Sequence, residues 1–195
     1  MDAQFDVPAV PVLLPLAAVL MAASWFVLRS RGTITGPRLV VAGAAVVYLM
    51  AVLAFTLLPL PVALGVYANH VPWYDKASFV PLLTIDLRTF VLNIVMTVPL
   101  GVLVPLLFRV RDVKQLTVVA LCFSGAIELA QFSTDVVLSS GRTADVNDLL
   151  ANVLGAVLGY LVWRRLTRFT AIGELARRLA IPARRPRDVT HAGGC

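Results

Sequence analysis

Five apolar stretches of about twenty residues each constrain this chain more than anything else in it. They run from Val7 to Leu28, Leu39 to Leu58, Thr89 to Phe108, Leu116 to Thr134, and through a fifth that ends at Trp163. A hydrocarbon layer about 30 Å thick is crossed by a helix of about 20 apolar residues. Only 14% of the 195 residues are charged and 59% are hydrophobic, whereas a soluble domain is about a quarter charged. The expected fold is an all-α integral membrane protein, a bundle of about five transmembrane helices in a multi-pass protein of the cell membrane. Pro11 and Pro15 fall in the first turns of the first stretch. They leave open a four-span arrangement in which that stretch lies at the interface. Residues 1–7 carry Asp2 and Asp6 and no Lys or Arg, which does not match the basic start of a cleaved secretory signal.

The net charge of +6 could point to nucleic acid, but the positions of the charges explain it otherwise. Arg29, Arg31, Arg38, Arg109, Arg111, Lys114, Arg164, Arg165, Arg168 and the basic residues of the tail fall on one side of the five spans. Lys76, Arg88 and Arg142 fall on the other. The positive-inside rule then places the N-terminus outside and the C-terminus in the cytoplasm, and no nucleic-acid partner is expected. Residues 1–165 are expected to form the membrane domain and 166–195 a basic cytoplasmic tail. From Leu166 to Ala180 the tail mixes Phe169, Ile172, Leu175 and Leu179 with Arg168, Arg177 and Arg178. That pattern predicts an amphipathic helix on the membrane surface, with disorder expected over 181–195.

Polar residues inside the apolar spans fall on stripes. The fifth carries Asp145, Asp148, Asn152, Gly155 and Gly159 at spacings of 3, 4, 3 and 4, one face of a helix. The fourth carries Ser124, Glu128, Gln131 and Asp135, and the third Asn93, Thr97 and Gly101. A charge near the middle of a spanning helix costs about 2.5–3.5 kcal/mol on insertion scales, so these groups should face protein or water. Asn93 is expected about 6 Å below the outer start of its span, and Glu128 and Gln131 roughly 5–10 Å from the outer end of theirs. Asp148 and Asn152 lie one and two turns below Asp145, and Arg142 stands at the rim. Three helices thus bring polar groups to a similar depth. The loop over residues 61–88, with Trp73, Tyr74, Phe79, Leu82 and Leu83, is expected to form short interfacial or re-entrant pieces.

At these residues the chain resembles the VanZ-like family, within 78–160. The matching pattern is Asn93 with Pro99 and Gly101, then Glu128 and Gln131, then Gly141, Arg142, Asp145, Asp148, Asn152, Gly155 and Gly159. Upstream, Ser78-Phe79-Val80-Pro81 looks like the family's Asn-Leu-Ile-Pro-type element, with Ser78 where Asn is usual. Thr97 stands where an aromatic residue is common. The resemblance implies a small multi-helix membrane protein with a role in the cell envelope or in tolerance of teicoplanin-type glycopeptide antibiotics.

Three functions are open at the level of sequence. In the first, Asn93, Glu128, Gln131, Arg142, Asp145, Asp148 and Asn152 form an outer-leaflet site for a cell-wall lipid intermediate or a glycopeptide. Gly101, Gly155 and Gly159 would serve helix packing. In the second, Glu128 and Asp148 are the acid and base of a membrane-embedded hydrolase or transferase acting on a lipid-linked headgroup. In the third, the acids serve proton- or ion-coupled transport. The bland alternative for Asp145 is a local ion pair with Arg142 at a helix start. His70 and His191 are expected to be ordinary surface residues. No P-loop, catalytic Ser-His-Asp set or His-rich metal set is present, and no metal or cofactor is expected. Cys122, inside an apolar span, is expected to be a small core residue.

Overall fold

The computed structural model describes residues 2–78, 86–108, 110 and 112–182, apart from the side chains of Trp73 and Asp75. The elements follow in the order β1 (Ala3–Val7), α1 (Ala9–Ser30), α2 (Gly36–Thr56), β2 (Leu60–Leu64), β3 (Ala77–Ser78), α3 (Leu87–Leu107), α4 (Val113–Leu138), β4 (Ala144–Asp145), α5 (Val146–Leu166) and α6 (Thr170–Leu179). Among the described residues five helices, α1 to α5, are long and apolar enough to cross a membrane. The five-span expectation therefore holds, with helix ends that move by a few residues. The first stretch is one continuous helix of 22 residues that keeps Pro15 inside it.

The centre of the bundle is the packing of α5 on α3 and α4. Gly155 faces Ile94 and Thr97, Gly159 faces Val98, and Gly101 faces Ala156 and Tyr160. Both chains advance together along this seam, so α3 and α5 run parallel. A β-carbon on any of the three glycines would overlap the facing backbone, so only hydrogen permits so close an approach. A cluster of Leu100, Val104, Leu116, Ala120, Ala156 and Tyr160 fills the space between α3, α4 and α5. Tyr48 of α2 stacks on Phe123 of α4, with ring centres 6.4 Å apart. Helix α1 leans on α2 and buries only Leu28. Cys122 lies exposed on α4, so the expectation of a core cysteine is wrong. It falls on the face opposite the buried stripe of Ser124, Ile127 and Glu128.

The two ends of the bundle differ. At one end the strand β1 pairs antiparallel with β2, from Ala3 opposite Leu64 to Val7 opposite Leu60. There too β3 pairs parallel with β4, joining Ser78 to Asp145. The expected short pieces in the 61–88 loop are therefore strand β2, single turns of 3-10 helix at Gly65–Tyr67 and Trp73–Lys76, and β3. Phe79, Val80, Pro81, Leu82 and Leu83 lie outside the described residues. At the other end α6 follows α5, and the chain after it returns to the bundle. The Ile181 N–H donates to the Leu106 carbonyl at 2.8 Å, and Arg38 Nε donates to the Ala180 carbonyl at 3.2 Å. Within the tail, α6 spans Thr170–Leu179. The disorder expected over 181–195 falls mainly outside the described residues, and Ile181 itself is bound to the bundle.

Candidate functional site: an acidic pocket at the strand-bearing end

The link between α4 and α5 turns twice through left-handed backbone, at Ser139 (φ 52°) and Gly141 (φ 71°). Gly141 is suited to that conformation, and its N–H donates to Asp135 Oδ1 at 2.6 Å. Asp135 is itself buried beside Lys76. The ammonium lies 3.1 Å from the Asp135 carboxylate and donates to the Asp135 carbonyl at 2.9 Å, with each side chain 6% exposed. This buried pair ties the long loop to the end of α4.

From Gly141 the chain enters α5. Asp145 caps the helix, its carboxylate accepting the Asn147 N–H at 2.8 Å. Its own N–H donates to Glu128 Oε2 at 3.0 Å, so Glu128 of α4 fixes the start of α5. One turn further on, Asp148 meets the amide of Asn93 on α3, and it stands within electrostatic range of Asp86, Asp145 and Glu128. Another turn down, Asn152 Nδ2 donates to Ser124 Oγ at 3.0 Å, while its Oδ1 is buried without a hydrogen-bond partner.

These contacts leave a pocket of about 260 Å³ between the starts of α3 and α5. Among the described residues Asp86, Thr89, Phe90, Thr143, Asp145, Asn147 and Asp148 line it, and no Lys or Arg is among these. Asp86 caps α3. The Thr89 hydroxyl, then the Arg88 N–H, hold its carboxyl below the usual carboxylate range. Among the described residues no group of three or more His, Cys, Asp or Glu is arranged to hold a metal ion.

The structure divides the residues singled out in the sequence. Asn93, Glu128, Asp145 and Asp148 come together at this pocket or directly behind it, and Asn152 lies below. Gln131 and Arg142 go elsewhere. Gln131 Nε2 donates to the Thr56 carbonyl at 3.2 Å, and Arg142 donates to the same carbonyl at 2.7 Å and to that of Pro59 at 3.2 Å. Both satisfy the exposed carbonyl end of α2, where a cation is also favoured by the helix dipole. Among the described residues no ion pair joins Arg142 to Asp145, contrary to the bland expectation for that pair. The sequence stripes omitted Asp86, Thr89, Phe90, Thr143 and Asn147. Asp86 did leave a signal, because an Asp followed three residues later by Thr at the head of an apolar run fits a helix cap.

Residues 45–168, more than half of the chain and all of α3, α4 and α5, match the family model VanZ-LLP1, described as VanZ/LLP1. No curated protein and no solved structure matches the chain. The multi-pass architecture and the family match agree, and this chain belongs to the VanZ/LLP1 family.

Proposed function

We propose that this membrane protein binds an envelope ligand through the acidic pocket and thereby contributes to tolerance of teicoplanin-type glycopeptides. The single observation that carries the reading is the lining itself, with three carboxylates, two threonine hydroxyls and no cation among the described residues. Such a lining suits an amine or a group rich in N–H and O–H donors, and disfavours a bare phosphate. At about 260 Å³ it takes one group of a larger molecule, since pockets for whole small molecules run to about 300–1,000 Å³. An amine-bearing part of a cell-wall lipid intermediate or of a glycopeptide meets both conditions. Phe90 supplies an apolar wall, and the Asn93 amide holds Asp148 in place.

The alternative of a hydrolase or transferase working through Glu128 and Asp148 rests on the closeness of those two acids. It is the weaker reading, because Glu128 is engaged by the Asp145 N–H and is not among the lining residues.

The test is teicoplanin susceptibility in a sensitive host that makes the native protein or Asp148→Asn at matched membrane levels. The native protein is expected to raise the inhibitory concentration and the near-isosteric variant to lose at least half of that protection. Equal protection by both would remove Asp148 from the mechanism, and protection by neither would overturn the glycopeptide role.

A further inference from the structure

The basic end of the bundle carries a second cleft, unrelated to the acidic pocket. It has a volume of about 360 Å³ and is lined by Leu161, Arg164, Arg165 and Arg168. These four positions are i, i+3, i+4 and i+7 of α5 and its immediate continuation, so they form one stripe. Three guanidinium groups therefore share a face, and the apolar Leu161 lies next along it toward the middle of the bundle.

Four other cations at this end are matched within the chain. Arg177 and Arg178 pair with Glu174. Arg38 donates to the carbonyls of Thr33 and Ala180. Arg29 lies over the Trp25 ring at 5.2 Å. Among the described residues no ion pair or hydrogen bond engages the guanidinium of Arg164, Arg165 or Arg168 (the Thr167 hydroxyl meets only the Arg164 backbone carbonyl), and no carboxylate lines their cleft. Cations at the carbonyl end of α5 are favoured by its dipole and by membrane topology. Neither effect requires them to converge on one stripe with a leucine above.

We propose that this face binds the headgroup phosphodiester of an anionic phospholipid. The arginines would hold the phosphate oxygens, a chemistry for which guanidinium is well shaped. The upper part of the lipid would lie along Leu161. Helix α6, whose apolar side includes the exposed Leu175, would sit at the same membrane surface.

The test uses the purified full chain in mild detergent, with bound lipid counted by native mass spectrometry during titration with phosphatidylglycerol or phosphatidylcholine. The native protein is expected to retain phosphatidylglycerol over phosphatidylcholine. A surface arginine contributes about a fivefold gain in affinity for anionic lipid, so Arg164→Gln or Arg168→Gln alone should lose about fivefold and the triple glutamine variant about a hundredfold. Arg177→Gln with Arg178→Gln removes two charges nearby and should leave the preference in place. The single variants keep the test decisive if the triple variant does not fold. Equal retention of the two lipids, or unchanged retention in the single variants, would overturn the proposal. So would displacement of the lipid by millimolar inorganic phosphate, since the cleft would then recognise free phosphate.

Discussion

Lys76 and Asp135 show what a single residue does in this protein. Their contact joins residues 59 apart in sequence and buries both charges. Such a pair is weak evidence for net stability, but breaking it leaves the other charge without compensation, at a cost of about 3–5 kcal/mol. Lys76→Met is therefore expected to lower the melting temperature in detergent markedly, and adding Asp135→Asn should recover much of the loss. A single variant that melts with the native protein would mean that the pair does not hold the loop. Residues of this kind were hard to read from the sequence. Glu128 and Asp148 were legible because an acid inside an apolar helix needs a partner, and each has one. Asp135 was legible as a stripe position, but Lys76 lies in an irregular loop where no period points to its partner. Arg142 was legible as functional or paired, yet its partners are backbone carbonyls, which no pattern of side chains can reveal.

At the scale of elements, the seam between α3 and α5 sets the pocket. Asp148 and Asn93 lie at its upper end, above Gly155 and Gly159, and their register depends on how closely the helices approach. Gly155→Ala places a methyl group against the Ile94 carbonyl and Thr97 Oγ1. Overpacking of this kind costs about 1–3 kcal/mol, and here the obstruction is backbone that cannot rotate away. The variant is expected to melt lower and to protect less against teicoplanin. Gly125→Ala, with nothing within 4 Å of the added carbon, should match the native protein in both assays. Equal behaviour of the two alanine variants would show that close approach at Gly155 is not needed. The glycine stripe was legible because helical spacing places small residues on one face. The assignment of faces was not. The stripe on α5 divides, with its glycines against α3 and Asn152 against Ser124 of α4. Helix α4 also runs four residues past the expected end at Thr134, which places Glu128 and Gln131 about 15 and 10 Å from its terminus. Strand β1 was missed because five residues form a strand there only by pairing with β2, about sixty positions later.

For the whole molecule, the polarity of the two ends determines how it sits in a membrane. The described basic residues divide into Lys76, Arg88 and Arg142 at the strand-bearing end and a much larger group, from Arg29 to Arg178, at the other. Of the smaller group, Lys76 and Arg142 are tied down by internal contacts, so they present little free charge. The arginines of α5 remain open. Cytoplasmic loops retain positive charge, so the strand-bearing end and its acidic pocket should face outward, and α6 with the arginine cleft should face the cytoplasm. That orientation puts the pocket where an envelope ligand or an added glycopeptide can reach it without crossing the bilayer. It can be measured in intact cells with a membrane-impermeant maleimide, in a chain lacking Cys122 and Cys195. Val66→Cys, at a position 75% exposed on the pocket end, should be labelled from outside. Phe169→Cys, at a position 63% exposed where α6 begins, should react only after the cells are opened. The reverse pattern would place the acidic pocket in the cytoplasm, where it could not meet an extracellular drug. The glycopeptide reading would then fail, while the lipid proposal for the arginine face would stand in the opposite leaflet.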